Sequence, residues 1–157
     1  MDIMENRLFS FIREGNVNEV KKGIELNPQL INSKDERGST PLILATYYNH
    51  KNIVQTLLDL GADTNLKDAS GNTALMGVCF KGYTDLVEIL IEKGAFINEQ
   101  NAMGGTCLIY AVTFKKIDIA KLLIEKGADR YIKDARGNTA LDHAKMQGVP
   151  ELIEMLK

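Results

Sequence analysis

The sequence predicts an all-α solenoid of stacked antiparallel helix pairs joined by short β-turn tips, and three observations carry that reading. The stretch Gly71–Ala95 recurs at a fixed interval of 33 residues in both directions. Gly38, Gly71, Gly104 and Gly137 stand in register, followed by Thr40, Thr73, Thr106 and Thr139 and then by Leu42, Leu75, Leu108 and Leu141. Farther along each unit, Gly61-Ala62, Gly94-Ala95 and Gly127-Ala128 repeat at the same interval. A fixed period of this size marks a stack in which each unit buries its apolar face against the next. The chain reads as a single domain over 1–157. It comprises an N-terminal cap at 1–33, full repeats at 34–66, 67–99 and 100–132, and a C-terminal capping repeat at 133–157.

In the first unit, Leu8, Phe9, Phe11 and Ile12 give a helix over 4–14 its apolar face. Gly15-Asn16 makes a turn, because both residue types tolerate left-handed backbone. A second helix follows over 17–26. Compared at the repeat interval, Val20 and Ile24 stay apolar while Lys21 and Glu25 stand where Val54 and Leu58 stand one unit later. A terminal unit needs one wet face, and these two substitutions are expected to supply it.

The second unit opens with a β-turn bracketed by Asp35, which accepts local amide hydrogen bonds, and Gly38, which admits positive φ. Thr40-Pro41 reads as N-cap and first helical residue. Leu42, Ala45, Thr46 and Asn49 then fall at i, i+3, i+4 and i+7, one face of a helix over 40–48. The returning helix runs over 51–60 and stops at Gly61, past the helix end.

The third unit repeats this plan with helices over 73–81 and 84–93. The fourth, over 106–114 and 117–126, carries Asn101 for the tip aspartate, Cys107 for Pro41 and Lys115 for the glycine between helices. Lys115 is expected to strain or reshape its turn. The fifth has helices over 139–147 and 150–156. It places Lys157 where Leu58, Ile91 and Ile124 stand, giving the stack a polar finish.

The segment Asp35-Glu36-Arg37-Gly38-Ser39-Thr40-Pro41-Leu42, with LLDLGAD, LIEKGAF and LIEKGAD, resembles the ankyrin-repeat family over nearly the whole chain. One departure is clear. Family members commonly carry histidine after the Leu of the TPLH tetrapeptide, whereas this chain has Ile43, Met76, Ile109 and Asp142. The hydrogen bonds such a histidine would make must be missing or replaced.

A net charge of −2 and a pI near 5.7 argue against a general electrostatic grip on nucleic acid or anionic lipid. No segment approaches the roughly 18 apolar residues of a membrane span. The N-terminal stretch lacks the apolar core of a signal peptide. Cys79 and Cys107 sit at different repeat offsets and are expected to lie apart as free thiols, which fits a reducing, cytoplasmic location. Asp35, Asp68 and Asp134 read as turn-capping residues rather than a metal site. His50 is expected in a surface turn and His143 on an exposed helix face. No nucleophile–base set or phosphate loop is recognisable, so the reading is non-enzymatic, with no metal or cofactor.

The resemblance implies binding along a concave face lined by the turn tips and the first helices. Carried over by position, the candidate partner-binding residues are Arg37, Tyr47, Tyr48, Ser70, Phe80, Lys81, Met103, Phe114, Arg136 and Met146. Helical geometry independently turns Tyr47, Tyr48, Phe80 and Phe114 off the buried face. Lys34, Lys67 and Lys133, with Arg37 and Arg136, are expected to form a basic rim suited to an acidic edge. The partner class is a protein or peptide bound by a monomeric module. The alternatives are self-association through the same face and a small-molecule or nucleotide sensor in the groove, favoured by Lys34, Lys67 and the tyrosines.

Overall fold

A computed structural model describes residues 2–157. Ten α-helices follow in pairs: α1 (Ile3–Glu14) and α2 (Val17–Leu26), α3 (Pro41–Tyr47) and α4 (Lys51–Asp59), α5 (Ala74–Lys81) and α6 (Thr84–Glu92), α7 (Cys107–Thr113) and α8 (Ile117–Glu125), and α9 (Ala140–Gln147) and α10 (Pro150–Leu156). No strand occurs among the described residues. The predicted helices agree to within a residue or two at each end, while a 3₁₀ turn at Pro28–Asn32 went unpredicted.

The pairs form because each first helix has a stiff start and a small-residue face. Thr40, Thr73, Thr106 and Thr139 are the N-caps, their hydroxyls accepting from the amides of Ile43, Met76, Ile109 and Asp142. The first helices then stack in one row, α1 on α3, α3 on α5, α5 on α7 and α7 on α9. The second helices α2, α4, α6, α8 and α10 form the row behind, with α2 on α4, α6 on α8 and α8 on α10 the tightest neighbours. Buried Ala45, Ala111 and Ala144 permit the close approach, and Leu42, Leu75 and Leu108 fill the space between units.

The structure departs from the sequence expectation in two places. The turn after α1 peaks at Gly15 and the turn after α3 at Asn49, both with positive φ, so the first unit is offset by 34 residues rather than 33. In that register Val20 and Ile24, both buried, match Val54 and Leu58. Lys21 and Glu25 match the solvent-side Gln55 and Asp59 and pair with each other at 4.0 Å on the surface. The wetter N-terminal face comes from Glu19 and Gly23, which replace buried Ile53 and Leu57.

The second concerns the cysteines. Both are free and fully buried, as first-helix residues of stacked α5 and α7. They do not lie apart: the neighbouring Cys107 thiol, with burial, holds the Cys79 pKa well above the usual thiol value. Direct stacking of α5 on α7 makes the two residues neighbours across the unit interface, which counting offsets along the chain ignores.

Lys115 keeps the turn and bears the strain. It adopts φ +58°, while Gly82 and Gly148 hold +85° and +65° at the same offset. Its amide still reaches the Val112 carbonyl at 3.1 Å, as the Asn49 amide reaches Thr46. Left-handed backbone costs a residue with a Cβ about 1–2 kcal/mol, partly offset in glycine by its freer unfolded chain. Lys115→Gly should therefore raise stability by about 0.5–1 kcal/mol in urea denaturation. A destabilised variant would show that the lysine side chain contributes more than its backbone costs.

Candidate binding groove

The turn tips are built identically from an aspartate or asparagine. The Asp35 carboxylate accepts from the amides of Arg37 and Ser39, each at 2.9 Å. Asp68 does the same for Ser70 and Asn72, and Asp134 for Arg136 and Asn138. Burial pushes the Asp134 pKa up, but the amides of Asn138 and Arg136 and the His143 ring outweigh it, and the net shift is downward. In the fourth unit Asn101 accepts from Met103 and Gly105 through Oδ1. Its amide nitrogen adds what a carboxylate cannot, donating to Asn72 Oδ1 at 2.8 Å and to the Tyr110 hydroxyl.

The histidine bonds absent from the tetrapeptide are replaced one residue further on, in two units only. Tyr110 meets Asn101, and His143 Nε2 lies 2.7 Å from Asp134 Oδ2. His143 is therefore not on an exposed helix face. Its side chain is 18% exposed and braces the last tip against α9. Leu44 and Gly77 hold the matching positions in the second and third units and bring no polar group. His50 does lie at the turn before α4, where its ring stacks on Tyr48 and its Nε2 sits 3.2 Å from the Arg13 carbonyl oxygen.

Between tips, backbone bonds run from Ala69 to Arg37, Ala102 to Ser70 and Ala135 to Met103. Two side-chain ladders reinforce them. Lys34 Nζ donates to the Lys67 carbonyl, Lys67 Nζ to the Gln100 carbonyl and Gln100 Nε2 to the Lys133 carbonyl, at 2.8–3.0 Å. At the other end of the units, Asn32, Asn65 and Asn98 accept from the amides of Asp63, Phe96 and Asp129. Lys67 also meets Glu99 at 3.0 Å. The expected basic rim is thus reduced: Lys34 and Lys67 are tied down between repeats, which also weakens the sensor reading that relied on them.

A concave cavity of about 920 Å³ runs along the first-helix side of the N-terminal half. Of the residues singled out from sequence, Arg37, Tyr47, Tyr48, Ser70, Phe80 and Lys81 line it. Phe114 joins through an edge-to-face contact with Phe80, centroids 4.4 Å apart, and stacks on Tyr110. Tyr47 meets Tyr48 edge-on at 5.2 Å, and Lys81 Nζ sits 3.7 Å above the Tyr47 ring. Each of the four rings is between 42 and 53% exposed, held on one side and open on the other. Met103, Arg136 and Met146 are exposed but lie outside the cavity lining.

Sequence reasoning missed Asn6, Phe9 and Arg13 of α1, and Ile43, Met76 and Tyr110. The signal for Arg13 was present. Counted back from the left-handed turn residue, Arg13 holds the position of Tyr47, Phe80 and Met146, and only the assumption of a constant 33-residue step hid it.

Comparison with known proteins agrees with this architecture. The family described as "Ankyrin repeats (3 copies)" matches residues 8–101, 60–134 and 97–157. The chain belongs to the ankyrin-repeat family. Ankyrin repeats are generally protein–protein interaction modules, and the family is typically non-enzymatic. The chain is also similar to oxysterol-binding protein-related protein 1 of Rattus norvegicus, 38% identical over a 71-residue alignment that covers 40% of this chain. The match spans 8% of that protein's length. Among the described residues of this ankyrin-repeat chain, no helix is long and apolar enough to cross a membrane.

Proposed function

We propose that this ankyrin-repeat chain is a monomeric, cytoplasmic adaptor that binds a partner protein or peptide along its concave groove. The observation that carries this reading is the two ring pairs Tyr48–Tyr47 and Phe80–Phe114, each ring near half exposed beside a cavity. Clustered exposed rings are uncommon away from interfaces, and they offer large contact area at small conformational cost. The tips that flank them are preorganised by their aspartate and asparagine bonds, which lowers the ordering cost of association. The two buried free thiols fit a reducing compartment.

A combined Tyr48→Ala, Phe80→Ala, Phe114→Ala variant tests it. The helical signal should be unchanged, and loss of the exposed ring contacts should lower the melting temperature by only about 2–4 °C. Binding to the protein captured by the wild-type chain should weaken at least about tenfold, or 1.4 kcal/mol. A folded variant that binds normally would move the site to another surface. An unfolded one would show that the rings belong to the core.

A further inference from the structure

We propose that the occupant of the groove's N-terminal half is an acidic peptide segment in extended form, carrying apolar anchors for the rings; this rests on the groove-binding reading above. Charge placement carries the proposal. Three cations line the cavity, Arg13 from α1, Arg37 from the first tip and Lys81 from the end of α5. Among the described residues none of the three is in an ion pair. Three acids also line it, so the formal charges balance, but they are not equally available. Asp35 and Asp68 are half-buried, each accepting from two amides of its own tip. Glu36 alone projects freely, and Glu14 beside Arg13 is outside the lining. A chain of net charge −2 therefore presents here three cations outside any ion pair against one freely projecting carboxylate.

Lys81 and the rings act together. Its ammonium lies over the Tyr47 face, a cation–π contact that fixes the charge beside the apolar surface rather than out in water. A carboxylate placed next to an apolar side chain would meet both at once. Apart from Tyr110, the cavity is lined by three stacked units, about 10 Å apart, a length that an extended segment of six to nine residues covers at roughly 3.3–3.6 Å each. Three exposed pairs of this kind together amount to roughly tenfold in affinity and more in approach rate. A single-stranded nucleic acid would also offer anions and stacking faces. Three cations on a net acidic protein make a weak phosphate site, which favours the peptide.

The test uses the full chain and fluorescein-labelled peptides of roughly ten residues with Leu or Phe at alternate positions. The remaining positions are all Glu, all Gln or all Lys, and a labelled oligothymidylate serves as the nucleic-acid probe. Fluorescence anisotropy at low salt should show the Glu peptide binding about tenfold tighter than the Gln peptide. The gap should shrink at high salt. The Arg13→Glu, Arg37→Glu, Lys81→Glu variant should prefer the Lys peptide, and the corresponding Gln variant should show no charge preference. Circular dichroism confirms that both are folded. Equal binding of Glu and Gln peptides, still weakened by Phe80→Ala, overturns the acidic occupant and leaves the groove reading intact. A Glu preference that survives the charge variants, tighter oligothymidylate binding, or no saturable peptide binding likewise overturns it. Peptide binding indifferent to both Phe80→Ala and the charge variants overturns the groove reading itself.

Discussion

Replacing Leu75 with alanine should lower stability by about 2–5 kcal/mol, the range for emptying a buried leucine site. Leu75 has no exposed surface and sits on α5, which packs between α3 and α7, so the cavity would open at two unit interfaces rather than one. Neighbouring helices cannot close it cheaply, because Thr73 and the tip bonds to Arg37 and Ala102 fix the height of α5 in the stack. The contrasting site is Lys157, exposed, whose side chain bonds only to Glu154 and whose carbonyl, which alanine keeps, accepts from Arg130, so that alanine there should cost close to nothing. Urea denaturation of both variants reads the difference. Equally mild effects would mean that the register assigned to the middle repeat is wrong.

Gly104→Ala should also be costly, and Gly137→Ala much less so, although the two glycines occupy the same place in successive repeats. Both have left-handed backbone, φ +74° and +83°, which costs an alanine about 1–2 kcal/mol. At Gly104 a Cβ would lie 2.6 Å from the Ala135 amide nitrogen and 3.0 Å from two Asp134 backbone atoms. The Ala135 amide is the one that bonds Met103, so relief requires pulling the two tips apart. Overpacking of that kind adds about 1–3 kcal/mol. At Gly137 nothing lies within 4 Å. Thermal melts of the two variants should therefore separate the cost of the backbone angle from the cost of tip contact. Equal losses would indicate that the angle alone matters.

The fold was legible because its evidence is periodic. Threonine caps, turn aspartates and left-handed glycines repeat, and each recurrence supports the others. What escaped depended on breaks in that period or on side-chain reach. The extra residue between Ile24 and Asn32 shifted the comparison of the first unit, so Lys21 and Glu25 were given a role that Glu19 and Gly23 hold, and Arg13 was passed over. Counting offsets kept Cys79 and Cys107 apart although the stacking of α5 on α7 makes them neighbours. The aromatic positions followed from helix geometry alone, and Tyr47, Tyr48, Phe80 and Phe114 are exposed where that geometry puts them. The fate of Lys34 and Lys67 was not readable, because a lysine at a turn looks the same whether its ammonium is solvated or bonded to a carbonyl 33 residues away.

The two side-chain ladders run only from one unit to the next, with no bond skipping a repeat. Such a stack behaves like a row of coupled springs rather than a rigid block. Tension applied between its two ends would load every rung in series, and the rungs would break in succession, each releasing a helix pair. Small changes in spacing at each junction would add along the row, letting the concave side widen or narrow by several times the movement of any single junction without an internal hinge.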